Sequence, residues 1–154
     1  MQYLITKALN DTQKEQVRTI WNRVYPAQIG HSNILSFEKY LAPLHNATHW
    51  LVQTKQAIIK GWFITFDRHN DRWFAMLLND DIQGQGIGSG LLQHAQAQNK
   101  VLNGWVIDHH HYVRKDGQTY ISPIEFYIKN GFQVLTDQRL ETEQLSLVKV
   151  RWEV

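Results

Sequence analysis

The part of the sequence best suited to binding chemistry is a run of four glycines at alternate positions, Gly84, Gly86, Gly88 and Gly90. The run follows an apolar segment, Trp73–Leu78, that is typical of a strand, and it leads into helical spacing of apolar residues from Ile87. Glycine lets the backbone approach a ligand closely and lets several N–H groups point the same way. A helix beginning there adds the positive end of its dipole. The sequence therefore predicts a backbone anion site suited to phosphate or pyrophosphate.

Two familiar glycine motifs do not fit these residues. The dinucleotide fingerprint G-x-G-x-x-G fails from Gly84, because Ser89 stands at its third glycine, and from Gly86, because Leu91 stands there. The P-loop requires a lysine directly after its last glycine, and the run contains none. Neither a dinucleotide fold nor a P-loop is therefore predicted.

The pattern that does fit is Gln-x-x-Gly-x-Gly at Gln83, Gly86 and Gly88, at the start of a helix. It resembles the coenzyme A pyrophosphate motif of the GNAT superfamily of acyl-CoA-dependent N-acyltransferases. Arginine is frequent at the first position of that motif, and glutamine there provides hydrogen bonds without a charge. Taken alone, the turn is equally consistent with a tight connection that binds nothing.

A second segment also resembles this family. Ser122 is suited to cap a helix, Pro123 to its first turn, and Glu125 to a capping box. Phe126-Tyr127-x-x-x-Gly131-Phe132 then resembles the family's Phe-Tyr-x-x-x-Gly-Phe signature, with a glycine as the helix stop. Two independent motifs in this order are far more specific than either one. The resemblance extends over roughly the whole chain and is strongest over residues 73–134.

The resemblance implies both a fold and an activity. The expected fold is α+β, a mixed and mainly antiparallel sheet of about seven strands flanked by about four helices, in a single N-acetyltransferase domain over residues 1–154. The implied reaction is transfer of an acetyl group from acetyl-CoA directly to a primary amine. The acceptor, a small molecule or a protein amine, is not specified by the sequence.

The resemblance also implies which residues bind acetyl-CoA. The end of the strand before the turn is expected to pair with the pantetheine arm, and an N–H near Leu78 is expected to receive the thioester carbonyl. The amides of the glycine turn are expected to hold the diphosphate. The predicted cofactor-binding residues are Leu77, Leu78, Asn79, Gln83, Gly84, Gln85, Gly86, Ile87, Gly88 and Ser89.

Tyr127 is the predicted catalytic acid. Acetyl transfer leaves a thiolate, whose thiol has a pKa near ~8.5, and a nearby phenol can protonate it. The attacking amine must first lose a proton, because lysine-type amines have a pKa near ~10.4. The strand Trp73–Leu78 carries no acidic residue, so Asp108, at the end of the next strand, is the candidate base, although it is equally consistent with a solvated loop residue. His109, His110 and Tyr120 are alternatives.

One departure from the family concerns the residues before the tyrosine helix. Many relatives have an asparagine there that contacts the pantetheine arm, whereas this chain has Tyr120, Ser122 and Pro123. The long connection 108–121 is expected to shape the acceptor site. Aromatic and apolar residues in the family's acceptor region are interpreted as pocket or core: Trp21, Tyr25, Ile29, Phe37 and Tyr40.

Patterning predicts the elements that must position these residues. A first helix is predicted between a Thr12–Glu15 capping box and Pro26, a second is predicted to be capped by Ser36, a third covers about 87–99, and a fourth follows Ser122. Asn103-Gly104 is expected to lie just before a strand. The predicted strands are Tyr3–Ala8, Trp50–Gln53, Ala57–Phe66, Trp73–Leu78, Trp105–Asp108, Phe132–Thr136 and Leu145–Trp152.

Composition narrows the classes of protein to which the chain can belong. The absence of cysteine excludes disulfides, thiolate metal sites and an acyl-cysteine intermediate, which favours direct transfer. The formal charge of +2 is spread over mixed signs, so no nucleic-acid partner is expected. No long apolar run or signal-peptide pattern occurs, so we expect no membrane association and a cytoplasmic location. A homodimer is compatible with the sequence.

Two alternatives remain open at the level of the sequence. The lack of an obvious base favours a non-catalytic acyl-CoA-binding sensor or interaction module. The run His109-His110-His111 raises a metal site, but on an extended chain only the outer two share a side, and no further ligand stands at a suitable spacing. No metal is therefore predicted, and a polar wall of the acceptor pocket is the preferred interpretation.

Overall fold

The computed structural model describes residues 1–154 and contains one seven-stranded sheet with helices packed against it. The strands are β1 Gln2–Thr6, β2 His45–Gln53, β3 Ile59–Arg68, β4 Asp71–Leu78, β5 Val101–Val106, β6 Gln133–Glu141 and β7 Ser146–Glu153. The helices are α1 Asp11–Val24, α2 Ile34–Leu41, α3 Ile87–Gln98 and α4 Ile124–Lys129. Two short 3₁₀ turns cover Ala27–Ile29 and Asp80–Ile82.

The sheet has the order β1-β2-β3-β4-β5-β7-β6. Only β4 and β5 run parallel, and every other neighbouring pair is antiparallel. The predicted order of elements and the mixed, mainly antiparallel sheet are confirmed. The parallel pair arises because α3 connects β4 to β5, as a crossover between parallel strands requires.

The core lies on both faces of the sheet because its central strands are buried on both sides. Trp62 and Ile64 of β3 pack with α1 and α2 on one face, while Phe63 packs with α3 on the other. On α3, Leu91 and Leu92 are 1% and 0% exposed. Burial of each leucine stabilises the fold by about 1.5–3 kcal/mol, which anchors α3 and therefore the turn that precedes it.

The cap of α1 differs from the predicted one. Asn10, not Thr12, is the N-cap: its Oδ1 accepts from the Gln13 amide at 2.8 Å, and its own amide donates to Gln13 Oε1 at 2.9 Å. Thr12 lies inside the first turn, and Glu15 pairs with Arg18 instead. Asparagine is among the strongest N-cap residues, so the helix begins two residues earlier than the Thr12 box predicts.

The cap of α2 is also shifted. Asn33 caps the helix by accepting from the Ser36 amide at 2.9 Å. The Ser36 hydroxyl lies 2.7 Å from His31 Nδ1 and is therefore occupied elsewhere. Both errors have the same cause, because several capping residues stand in a row and only the tertiary position of the chain selects one.

β5 begins earlier than predicted and includes Asn103-Gly104 as strand residues. A Cβ on Gly104 would lie only 2.8 Å from Phe74 of β4, so this glycine serves a close approach between strands and not a turn. β6 also extends to Glu141, beyond the predicted end, past an irregularity between Leu135 and Arg139. None of the helices has both the length and the apolar character that crossing a bilayer requires.

Candidate active site

An opening separates β4 from β5 beyond their first residues. The two strands pair only at Trp73 and Asn103. β4 nevertheless stays paired with β3 as far as Leu78, and β5 stays paired with β7 as far as Val106. The facing edges of β4 and β5 therefore diverge towards their carboxyl ends, which leaves a cleft inside the sheet with unpaired backbone on its walls.

Side chains tie the two strands together at the closed end of the cleft. At the closed end, Arg151 Nη1 donates to Asp71 Oδ2 at 2.7 Å and to Asn103 Oδ1 at 2.8 Å. Next to the paired position, the ring of Phe74 lies 5.5 Å from that of Tyr127 and 5.4 Å from that of Phe132. These aromatic contacts tie β4 to α4 and to the segment before β6.

The direction of the Leu78 amide follows from the pairing of its neighbour. The Asn79 amide donates to Lys60 O on β3 at 2.8 Å. Successive residues of an antiparallel strand point their N–H groups to opposite sides, so the Leu78 N–H points away from β3 and across the opening. The Leu78 carbonyl accepts from Gln83 Nε2 at 2.9 Å. The Leu78 N–H, the last donor on this edge, is therefore directed into the cleft, whereas the Leu78 carbonyl already has a hydrogen-bond partner.

The glycine turn lies directly after this edge and begins α3. Gly84 and Gly86 have φ of 74° and 80°, the left-handed region that favours glycine, and nothing lies within 4 Å of a Cβ added to either. Gly86 is the N-cap and provides no side-chain cap, so the first amides of α3 are left for another acceptor. The predicted strand, glycine turn and helix are thus present, with open space over the turn.

Gly88 has a different function from the glycines before it. A Cβ there would lie 3.0 Å from Phe126 Cζ and 3.3 Å from Leu78 Cδ1. This glycine therefore lets α3 pack closely against α4 and β4. The two sequence motifs meet at this contact, because Phe126 belongs to the second one.

Polar side chains around the turn order the backbone. Gln83 binds Leu78 O, and Gln85 Nε2 donates to Asp81 O at 3.1 Å. Asp81 accepts from Lys60 at 2.7 Å and from Asn79 at 2.7 Å, and these bonds lower the pKa of its carboxyl. Because its charge is paired, Asp81 repels an incoming anion less than a free carboxylate would.

Tyr127 lies on α4 beside the cleft and is 6% exposed. Its ring packs among Phe74, Phe126 and Phe132, and burial raises the pKa of its phenol. The hydroxyl bonds to no protein group. The hydroxyl is not fully buried either. His31 Nε2 is the only side-chain nitrogen or oxygen in the chain that is both fully buried and without a hydrogen-bond partner. Tyr127 therefore keeps a neutral phenol with an unused hydrogen-bond donor beside the cleft.

Two further tyrosines accompany it. The rings of Tyr25, just after α1, and Tyr120, before α4, are 6.3 Å apart. Burial raises the pKa of Tyr120 to about 12, and it raises the pKa of Tyr25 well above its usual value. Repulsion from the Tyr120 phenolate adds to the raised pKa of both Tyr25 and Tyr127. No spacing rule along the chain indicates that Tyr25 and Tyr120 meet.

Asp108, the predicted base, is held in an ion pair. Both of its carboxylate oxygens accept from Arg139, at 2.9 and 3.1 Å, and this contact lowers the pKa of its carboxyl. A carboxylate stabilised in this way is a weaker base than a free one. Its participation in proton transfer stays a prediction.

The three histidines and Ser122 arrange the loop after β5. The rings of His109 and His111 stack at 4.9 Å, and no group of three or more potential metal-binding side chains occurs in the chain. His110 Nδ1 accepts from the Ser122 amide at 3.0 Å. The Ser122 hydroxyl donates to Ile107 O at 2.5 Å and accepts from the Ile124 amide at 3.2 Å. The predicted capping box with Glu125 is wrong, because Ser122 joins α4 to the end of β5 instead.

A known protein family matches the sequence of this chain. The chain matches the family described as acetyltransferase (GNAT) domain over residues 45–134, more than half its length. No curated protein sequence matches it significantly.

Solved structures resemble this chain along nearly its whole length. A candidate phosphinothricin N-acetyltransferase superposes with a TM-score of 0.71 at 14% identity, covering 99% of both chains. An aminoglycoside 6'-N-acetyltransferase complexed with coenzyme A gives 0.68 at 13% identity, covering 97% of this chain and 96% of the other. A variant spermidine N-acetyltransferase from Vibrio cholerae gives 0.64 at 12% identity, with 99% and 95% covered. The fold and the sequence match agree, and the chain belongs to the GNAT family of acetyltransferases.

Proposed function

We propose that this protein transfers the acetyl group of acetyl-CoA directly to a primary amine, with the cleft between β4 and β5 as its donor site. The family uses acetyl-CoA, and the residues present fit that molecule. The observation that carries the proposal is the direction of the Leu78 N–H. It points across the cleft from the strand that leads into the glycine turn. A thioester between these features would have its carbonyl oxygen near a backbone donor.

In this proposal the backbone binds the donor. The amides from Gly84 to Ser89 hold the diphosphate, helped by the dipole of α3. The edge at Leu77, Leu78 and Asn79 pairs with the pantetheine arm as an added strand would. Gln83, Gln85, Gly86, Ile87 and Gly88 complete the turn, the glutamines by ordering its backbone.

The proposed reaction has two covalent changes. The neutral amine nitrogen bonds to the thioester carbon, and the carbonyl electron pair moves to the oxygen, where the Leu78 N–H stabilises it. The carbon–sulfur bond then breaks, and Tyr127 donates its proton to the departing sulfur. The raised pKa of the phenol keeps it protonated until the thiolate develops. The nitrogen loses its extra proton to Asp108 or to solvent, and solvent returns a proton to the Tyr127 phenolate, which restores the enzyme.

The acceptor site is proposed to lie beside Tyr25 and Tyr120. These rings offer apolar faces and neutral hydroxyl donors, a combination suited to an ammonium-bearing molecule with an apolar or aromatic body. Named neighbours act on an aminoglycoside and on spermidine. The acceptor of this chain is therefore to be sought among amines of both kinds.

Calorimetry and thiol release test the proposal together. We expect the purified protein to bind coenzyme A and acetyl-CoA, and to release thiol when tyramine, phenylalanine, spermidine or an aminoglycoside is added. Binding without turnover across a broad amine panel would instead favour an acyl-CoA sensor. Absence of heat with well-folded protein would remove the donor site altogether.

A further inference from the structure

The connection between β5 and α4 contains an ordered hairpin, residues 112–120, which we call the 112–120 hairpin. The Tyr120 amide donates to Tyr112 O at 2.9 Å, and the Arg114 amide donates to Gln118 O at 2.8 Å. Gly117, with φ of 84°, forms its tip. The long loop predicted from the sequence is therefore a small element that can act as a rigid wall.

Two hydrogen bonds, one to its backbone and one to a side chain, fix this hairpin on two sides. The Ala27 amide donates to Val113 O at 3.0 Å, so one strand of the hairpin lies against the segment after α1. On the other side, the Ser146 amide at the start of β7 donates to the Tyr112 hydroxyl at 2.8 Å. The hairpin thus spans the region between α1 and β7 and carries Tyr120 to its place beside Tyr25.

Arg114 connects this wall to the donor side of the cleft. Its guanidinium donates to both carboxylate oxygens of Asp80, at 3.1 and 2.6 Å, and its Nε donates to Arg23 O at 3.0 Å. Asp80 begins the 3₁₀ turn between β4 and the glycine turn. The Arg114 side chain is only 13% exposed, with Asp116 as a second carboxylate at 3.6 Å. One side chain therefore joins the hairpin, the end of α1 and the approach to the glycine turn.

We propose that Arg114 is a positioning residue for acetyl transfer: it fixes the acceptor wall at a set distance from the thioester. This inference rests on the proposed function. Direct transfer requires the nitrogen and the carbonyl carbon to meet at about 3–3.5 Å, and a displacement of about 1 Å can cost 100-fold in rate. A bidentate guanidinium holds such a distance, because its rigid fork fits a carboxylate in one orientation.

Two substitutions test this role without changing a residue of the glycine turn. Arg114→Gln removes the guanidinium fork, and Asp80→Asn removes the charge of the carboxylate that accepts from it. The matched control is Arg72→Gln. Arg72 also pairs with an aspartate, Asp67, and with a backbone carbonyl, and it is 17% exposed, but it lies at the opposite end of β4. The aspartate partners Asp67 and Asp80 are 49% and 46% exposed, so removing either arginine leaves no carboxylate buried without a partner, and all three variants are expected to fold.

We expect Arg114→Gln to lower kcat/KM for the best amine of the panel about 10-fold or more, because the amine is no longer held at the reacting distance. The Kd for acetyl-CoA should change less than about 3-fold, because the diphosphate is held by backbone amides. Amide hydrogen exchange over residues 112–120 should become at least about 10-fold faster, since the hairpin loses its anchor. Arg72→Gln should change none of these, and Asp80→Asn should shift them in the same direction by less.

Unchanged kcat/KM and unchanged exchange in folded Arg114→Gln, or equal changes in Arg72→Gln, would overturn the inference. If Arg114→Gln does not fold, Asp80→Asn decides by the same measurements. The exchange experiment needs no acceptor and therefore separates two failures. A protein that binds acetyl-CoA but exchanges alike with and without Arg114 contradicts only the positioning role, whereas one that binds no acetyl-CoA contradicts the proposed function.

Discussion

The two halves of the candidate site are built in different ways. The donor half, from Leu77 to Ser89, is continuous in sequence and uses mainly backbone atoms. The acceptor half is assembled from Tyr25 after α1, Tyr120 on the 112–120 hairpin, and the Asp108–Arg139 pair between β5 and β6. The first can be recognised by spacing along the chain, whereas the second exists only when distant segments meet.

This difference indicates where amino-acid substitutions can change the specificity of the site. A backbone cradle depends on glycine positions and tolerates many side chains, so the donor half keeps a recognisable pattern. A wall of side chains on loops changes with each substitution and so determines which amine fits. Tyr127 belongs to both proposed halves, since its ring packs against Phe74 of β4 and the repulsion from Tyr120 adds to the raised pKa of its phenol.

The largest expected effect comes from the residue shared by both halves. Tyr127→Phe should lower kcat about 100-fold or more, because protonation of the leaving thiolate is lost. The Kd for acetyl-CoA should stay within about 2-fold, since the hydroxyl contributes nothing to the diphosphate cradle. A thiol-release assay measures kcat, and calorimetry measures the Kd for acetyl-CoA. Tyr3→Phe, on the exposed first strand, is the control; undiminished turnover in Tyr127→Phe removes this residue from the mechanism.

A smaller effect tests the donor half alone. Gly86→Ala forces a side chain into φ of 80°, at a strain of about 1–2 kcal/mol. The turn should relax away from its binding geometry, so we expect the Kd for acetyl-CoA to rise about 10-fold while kcat at saturation is kept. Gly90→Ala is the matched control, because Gly90 is helical with open space around it and alanine should stabilise α3. Equal affinities in both variants would show that the turn does not hold the ligand.

The smallest expected effect concerns the acceptor half. Asp108→Asn should lower kcat less than about 5-fold, because Arg139 already lowers the pKa of the carboxyl and makes it a weak base. Rates measured from pH 6 to 10 should rise with pH in both proteins as the amine, with a pKa near ~10.4, loses its proton. A fall of 100-fold or more that amines of lower pKa partly reverse would instead establish Asp108 as the base.

Individual residues show which features of the fold the sequence pattern predicts and which it does not. The glycine turn, the tyrosine helix and the order of elements were predictable because they depend on local conformation and apolar spacing. Asn103-Gly104 was placed before its strand because a glycine usually marks a turn, yet here it accommodates the ring of Phe74. Ser122 has the local signature of a cap, but its hydroxyl is directed to Ile107 on the preceding segment. In each case a contact between distant residues outweighs the local preference.

The family, the order of strands and helices, and the position of the glycine turn follow from the amino-acid sequence alone, because glycine conformation, helix capping and apolar periodicity act over a few neighbouring residues. Only the tertiary structure decided that β4 and β5 diverge, that the Leu78 N–H faces their opening, and that Arg114 joins the 112–120 hairpin to Asp80. These features depend on pairing register and on side chains 34 positions apart in the chain, which spacing rules do not record.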